Sequence, residues 1–401
     1  MTAPGAKKPS KWERTSRTLR WLPRFVLQSA MRRRRRSGIV HLIIALADHF
    51  EPAVVPGRGA AQAPPQEQQR RLEIWCREYP ELVEGWRDSD GRSFVHTYFF
   101  PAEQYERSLL TQLADHCHDG WGEVEIHLHH GLIEPDTAEN TRAQLIRFRD
   151  LLAREHECLS YWDGSGTPTY AFVHGNFALA NSAGGRFCGV DNELELLAET
   201  GCYADLSLPP GAFHPAHISK INSLYECTPP LGRKAAHRSG KDLACGRTPI
   251  TFPLMVQGPL AMEFSSARRG SRIYIENGDL TTTNPPSIQR LAAWKRARIS
   301  VKGRPDWIFI KLQCHGMDPR HREAMLGSSM QCFLRDMVTG AQERNEVLHF
   351  VSAREMVNIM LAACDGRDGN PGSYRDYRLK RAQDSHGRAL RGRKAEATVK
   401  S

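Results

Sequence analysis

Glu123-Val124-Glu125-Ile126-His127-Leu128-His129-His130-Gly131 is the stretch whose reading decides the fold. Apolar and polar residues alternate along it, so as a strand it places Glu123, Glu125, His127 and His129 on one side and Val124, Ile126 and Leu128 on the other. His130 falls where the strand gives out, before Gly131. Neutral imidazoles beside carboxylates at a strand end are what a divalent ion of the Zn²⁺ type needs, because it takes nitrogen and oxygen ligands about 2 Å away. A pair of histidines hydrogen-bonded inside a polar core is the plainer reading of an isolated His-x-His, so the rest of the chain has to decide.

Outward from this stretch the pattern alternates apolar strand with amphipathic helix, the signature of an α/β fold with largely parallel strands. Strands are predicted over Ile39–Ala47, Ser93–Phe100, Thr169–Val173, Tyr203–Leu208, Ile250–Gln257, Trp307–Leu312 and Val347–Val351, with helices between them. Pro101 and Pro285 or Pro286 open helices, and Asp136 and Thr137 cap another. Element order and count predict a distorted, TIM-like β/α barrel of about seven or eight strands. It forms one domain over residues 38–365, and residues 209–250 read as a long insertion or lid.

The 401 residues carry a formal charge of +10. Residues 1–38 hold twelve Lys or Arg against Glu13, and residues 378–401 hold eight against Asp384 and Glu396, leaving about −7 on the body. The basicity therefore belongs to the tails. Residues 1–37 and 366–401 read as basic, largely disordered tails capable of weak contact with anionic membrane or nucleic acid, and no specific nucleic-acid partner is expected. The ten cysteines include no C-x-x-C pair, and no apolar run approaches a membrane span. Reduced thiols and a cytoplasmic location are the expectation. Nothing in the sequence speaks to oligomeric state.

At the predicted C-terminal strand ends, where a β/α barrel builds its site, ionisable and amide residues recur. They are Asp48 with His49 and Glu51; His127 with His129 and His130; His174 with Asn176; Asp205; Gln257; and His315. Asp48 with His127 and His129 makes a candidate ligand set that leaves positions for water and substrate, with His49 and His130 as possible additional ligands. Glu51, or Asp48 itself, is the candidate base, and His315 the candidate general acid. His174, Asn176 and Asp205 are candidate substrate contacts.

Ala47-Asp48-His49-Phe50-Glu51, Glu125-Ile126-His127-Leu128-His129-His130 and Ile310-Lys311-Leu312-Gln313-Cys314-His315 stand in the order of the three motifs of the polysaccharide deacetylase (NodB-homology) superfamily, which the chain resembles over about residues 39–363. One Asp followed by His replaces the usual paired aspartates, and histidines four apart would put the second on Gly131. The resemblance implies a distorted β/α barrel, a carbohydrate substrate, and a divalent metal, foremost zinc. It implies Asp48, His127 and His129 as ligands, His315 as the acid, and a hydrolase that deacetylates an amino sugar or polysaccharide. Two alternatives stand beside it. One is a carboxylate-based glycoside hydrolase using Asp48, Glu51 or Asp205. The other is an inert barrel that binds partners through its basic tails.

Overall fold

Along the first strand Leu42, Ile44 and Leu46 alternate with Ile43, Ala45 and Ala47, and both sets are buried, as in a strand covered on both faces. The structure, a computed structural model, describes residues 10–31, 38–58, 61–210, 214, 216–267 and 270–381. Its parallel strands are β1 (Val40–His49), β2 (His96–Pro101), β3 (Gly122–Leu128), β4 (Pro168–His174), β5 (Cys202–Asp205), β6 (Leu254–Val256), β7 (Asp279–Leu280), β8 (Trp307–Cys314) and β9 (Glu346–Phe350). They stand in the order β7-β8-β1-β2-β3-β4-β5-β6, with β9 paired to the first half of β1 and β2 to its second half. All these pairings are parallel, so their C-terminal ends share one edge of the sheet.

The α/β expectation and the mostly parallel sheet are present, but no backbone ladder among the described residues closes the sheet. Beyond β6 the segments Leu224–Cys227 and Gly240–Asp242 add antiparallel, so the predicted insertion extends the sheet by a hairpin. The sheet ends do approach: a Cβ on Gly258, two residues past β6, would lie 2.5 Å from the carbonyl oxygen of Lys311 in β8. One physical reason for the opening is the helix Ala353–Cys364. It is buried along its whole length and packs in one cluster with Ile43, Ala45, Ala47, Val173 and Phe309. An eight-stranded barrel interior is only wide enough for side chains. The opposite face, with Leu42, Ile44, Leu46, Val124, Ile126 and Leu128, is covered by helices carrying Leu72, Trp75, Leu113, Leu145 and Phe148.

Both predicted tails are corrected in part. Residues 11–31 form a helix whose Trp21 is fully buried with Ile221 and Leu260, and Gln28 Nε2 donates to the Ile221 carbonyl at 2.9 Å. Trp21 and Phe25, four residues apart, with Gln28 three further on, gave the basic segment a face to bury. After Asp365, Arg375 pairs with Asp88 and Asp90 beneath the sheet, and Leu379–Arg381 pairs with Ser160–Trp162. Buried carboxylates recruited the arginines that composition alone assigns to solvent. Residues 1–9, 32–37 and 382–401 of the predicted tails lie outside the described residues.

Candidate metal centre

Alternation along β1 sends Ala47 and His49 to the face of the buried helix and Asp48 to the other. Two residues on, Glu51 turns back over the strand ends, fixed by the Phe50 N–H, which donates to the Phe99 carbonyl at 3.0 Å. Its Oε1 lies 3.2 Å from His127 Nε2 and 2.9 Å from His129 Nε2, and its Oε2 lies 3.9 Å from His315 Nδ1. The His49 ring stands against those of His127 and His315, at 4.8 and 4.6 Å between centroids, and Phe177 covers it at 5.4 Å. His49, Glu51 and His127 are buried, while the His129 and His315 side chains keep 10 % and 21 % of their surface in solvent. Access to the cluster therefore runs past these two rings.

The far nitrogens settle the tautomers. His127 Nδ1 donates to the Val173 carbonyl at 2.7 Å, and His129 Nδ1 donates to Glu103 Oε1 at 2.7 Å. In the neutral rings both Nε2 lone pairs therefore point at one carboxylate oxygen. Burial works against charge on His129, but Glu51 and Glu103 outweigh it and hold the imidazole up at about 10. Burial likewise opposes charge on Glu51, and His129 and His127 overcome it to hold the carboxyl well down. A proton on His129 thus satisfies one contact and leaves His127 Nε2 facing Glu51. His49 Nδ1 and Glu51 Oε2 are buried without a hydrogen-bond partner. Burial, then His315 and His127, push the His49 imidazole well below its ordinary range; burial lowers His315 as well. His49, Glu51 and His127 each offer a ligand atom within 4.8 Å of the others, and with His129 Nε2 on the same carboxylate they fit a zinc-type ion. The Val173 carbonyl and Glu103 already hold the outer nitrogens as metal-ligating histidines require.

Asp48 is not part of this cluster, which corrects its expected place as ligand to the same ion as His127 and His129. On the opposite face its Oδ2 lies 3.0 Å from His96 Nδ1, and its Oδ1 accepts the Gly316 N–H at 2.7 Å. It thereby holds the turn that carries His315, and a Cβ on Gly316 would lie 2.3 Å from Asp48 Oδ2.

His130 and His174 form a neighbouring buried cluster with Cys188 and Glu193. His130 Nδ1 donates to Asp136 Oδ2 at 3.0 Å, and its Nε2 lies 3.0 Å from Glu193 Oε1 and 3.2 Å from His174 Nε2. Burial disfavours charge on His130, but Glu193 and Asp136 raise its pKa well above the ordinary value; Glu193, buried but facing the two imidazoles, falls to about 2. His174 Nδ1 accepts the Asn176 N–H at 3.1 Å, so its proton sits on Nε2. With His130 charged, its Nε2–H and that of His174 face each other at 3.2 Å, and both turn to Glu193 Oε1, at 3.0 and 3.7 Å. His130 belongs to this second cluster and not to that of His127, and His174, with no exposed surface, does not reach substrate. Asp205 is likewise internal, accepting the Ser207 hydroxyl at 2.8 Å, while Ser207 Oγ accepts the His174 N–H. Burial raises the Asp205 carboxyl to about 7. Of the expected substrate contacts, Asn176 alone keeps an unpartnered donor, its Nδ2. The three carboxylates expected of a glycosidase, Asp48, Glu51 and Asp205, sit in three separate clusters.

Glu103 and Glu193 escaped the sequence reading. The strand-end rule, applied after Pro101, points to Glu103; Glu193 lies at a helix start and carries no such signal. Gly131 has φ +61°, and a Cβ there would lie 2.2 Å from the Cys188 carbonyl oxygen. We expect Gly131→Ala to cost about 1–3 kcal/mol in urea unfolding through strain and displacement of the Cys188 loop. An unchanged midpoint would show that the loop yields freely. Comparison with family models, curated proteins and solved structures found no match for this chain.

Proposed function

We propose that this chain is a metal-dependent hydrolase that removes acyl groups from a carbohydrate, an N- or O-deacetylase acting on an amino sugar or polysaccharide. The observation that carries this reading is the convergence of His127 Nε2 and His129 Nε2 on Glu51 Oε1, with both Nδ1 atoms already committed. Glu51, His127 and His129 would hold the ion, with Glu51 taking the place expected of Asp48. When bound, a zinc-type ion polarises the acyl carbonyl and lowers the pKa of water to about 7. The carbohydrate substrate rests on the motif order. An opened, distorted β/α barrel accommodates the mostly parallel sheet and the strand-end position of the cluster.

His315 moves the proton. Burial keeps its imidazole neutral at neutral pH, so it takes the proton from the attacking water, and it returns that proton to the leaving nitrogen or oxygen as the bond to the acyl carbon breaks. Asn176 Nδ2 offers a donor to the substrate, and Asp48, through the Gly316 N–H, positions the His315 turn.

The test is acetate release from N- and O-acetylated amino-sugar oligomers by the zinc-supplemented protein. His315→Ala should slow the wild-type rate by about a hundredfold or more. Asp48→Ala should slow it by about ten- to a hundredfold with metal content unchanged. No acetate release from any of these substrates, or equal rates in wild type and His315→Ala, would overturn the reading.

A further inference from the structure

Of the eleven large apolar side chains exposed among the described residues, six fall between Trp12 and Ile39, so exposed apolar surface is concentrated at the N-terminal helix. Trp12, Leu19 and Val26 are spaced by seven residues and are 78 %, 56 % and 58 % exposed. Seven residues are two turns less about 20°, so the three side chains make one stripe along the helix. Trp21 and Gln28, also seven apart, lie about 180° round the axis and are the residues that dock the helix on the body. The helix therefore has two seams. One is used by the fold, and the other faces solvent, widened by Pro23 and Leu27 and flanked by the exposed Arg20 and Arg24.

We propose that the helix Lys11–Met31 seats the protein on anionic lipid bilayers, with the Trp12, Leu19 and Val26 stripe in the acyl boundary and its arginines at the headgroups. A helix lying in a bilayer interface needs this combination of an apolar stripe, a Trp at headgroup depth and flanking positive charge. The sequence supplies the charge: twelve Lys or Arg against one Glu over residues 1–38, on a body of opposite sign. Nucleic acid would use the arginines but has no place for Leu19 and Val26. A second copy meeting stripe to stripe would bring the two sets of arginines together. The helix is held to the body by Trp21 and Gln28, so lipid binding needs no unfolding of the protein.

The experiment is co-sedimentation of the full chain with phosphatidylcholine vesicles containing none or about 30 % phosphatidylglycerol, at salt from about 0.1 to about 0.5 M. We expect binding at least about tenfold tighter to the anionic vesicles, weakened by salt. Leu19→Glu with Val26→Glu should weaken it by at least about tenfold while leaving the thermal midpoint nearly unchanged, since both side chains are more than half exposed. Retained binding in this double variant, with loss only on Arg20→Ser with Arg24→Ser, would reduce the effect to adsorption of charge and overturn the seated stripe. So would a concentration-dependent dimer that the Glu variant dissociates, without vesicle binding, or binding to single-stranded RNA that the Glu variant leaves intact.

Discussion

Tag-free protein purified without added metal should carry about one zinc-type ion per chain, and the His127→Ala, His129→Ala double variant should carry none. The expectation follows from proton bookkeeping. Glu51 and Glu103 together balance a charged His129, but with the Val173 carbonyl fixing His127 Nδ1 as a donor, a proton-only site must also charge His127 or leave its Nε2 lone pair facing Glu51. Elemental analysis of the two proteins side by side reads the outcome. Chelation should lower the wild-type melting temperature and leave the double variant unmoved. An ion present at a thousand times its dissociation constant contributes about 4 kcal/mol to the folded state. Hydrolysis should fall by at least about a thousandfold in the variant, since removing several kcal/mol of charge stabilisation has that effect on rate. Metal retained in the double variant would place the ion instead among His130, His174, Cys188 and Glu193 or beside Asp48, His96 and Cys314. No metal in either protein after incubation with zinc would refute the metallohydrolase reading.

Pattern carried the sheet and most of the strand-end histidines, and failed where a one-residue phase or a distant partner decides. β1, β3, β4, β8 and β9 lie within about two residues of the expected spans, because β1, β4 and β8 are apolar runs that must be covered on both faces and β3 alternates polar with apolar residues at the strand period. The same alternation, carried two residues beyond Ala47, puts His49 rather than Asp48 on the face of His127, and motif order alone does not register that phase. Glu51 was legible as a candidate base; its place between His127 and His129 was not, because it depends on how the chain turns after β1. The pairing of His130 with Glu193, 63 residues away, leaves no local trace. Closure of the sheet also lay beyond pattern reading. Ala353–Cys364 looks like any other helix until its full burial on the inner face is seen.

Arg375→Met should destabilise the protein by about 3–5 kcal/mol at neutral pH, the cost of leaving a buried carboxylate without its cation. Arg375 Nη2 lies 2.8 Å from Asp88 Oδ2 and 2.9 Å from Asp90 Oδ2, and Nη1 lies 3.4 Å from Glu355 Oε2. The Asp88 side chain has no exposed surface and also accepts the N–H groups of Asp90, Arg92 and Phe350 at 2.7 to 2.9 Å. Burial raises its carboxyl above the usual range even with Arg375 present. Loss of the guanidinium raises it further. A carboxyl whose folded pKa is raised stabilises the fold below its unfolded pKa and loses that contribution as pH rises through the folded value. The deficit of the variant should therefore be largest at neutral pH and shrink as pH falls through the raised range of Asp88. Asp90 works in the same direction. It is partly buried, but Asn370, His349 and Arg375 hold it down to about 2, so the stability that Arg375 gives it is lost from the wild type on acidification. Urea unfolding of both proteins at neutral pH and in the mildly acidic range measures the two deficits. A deficit that grows toward acid would contradict the charge account and leave lost packing of the arginine stem as the cause. Asp88→Asn added to Arg375→Met should recover part of the loss, because a neutral amide keeps acceptors for the Asp90, Arg92 and Phe350 amides without carrying an unpaired charge.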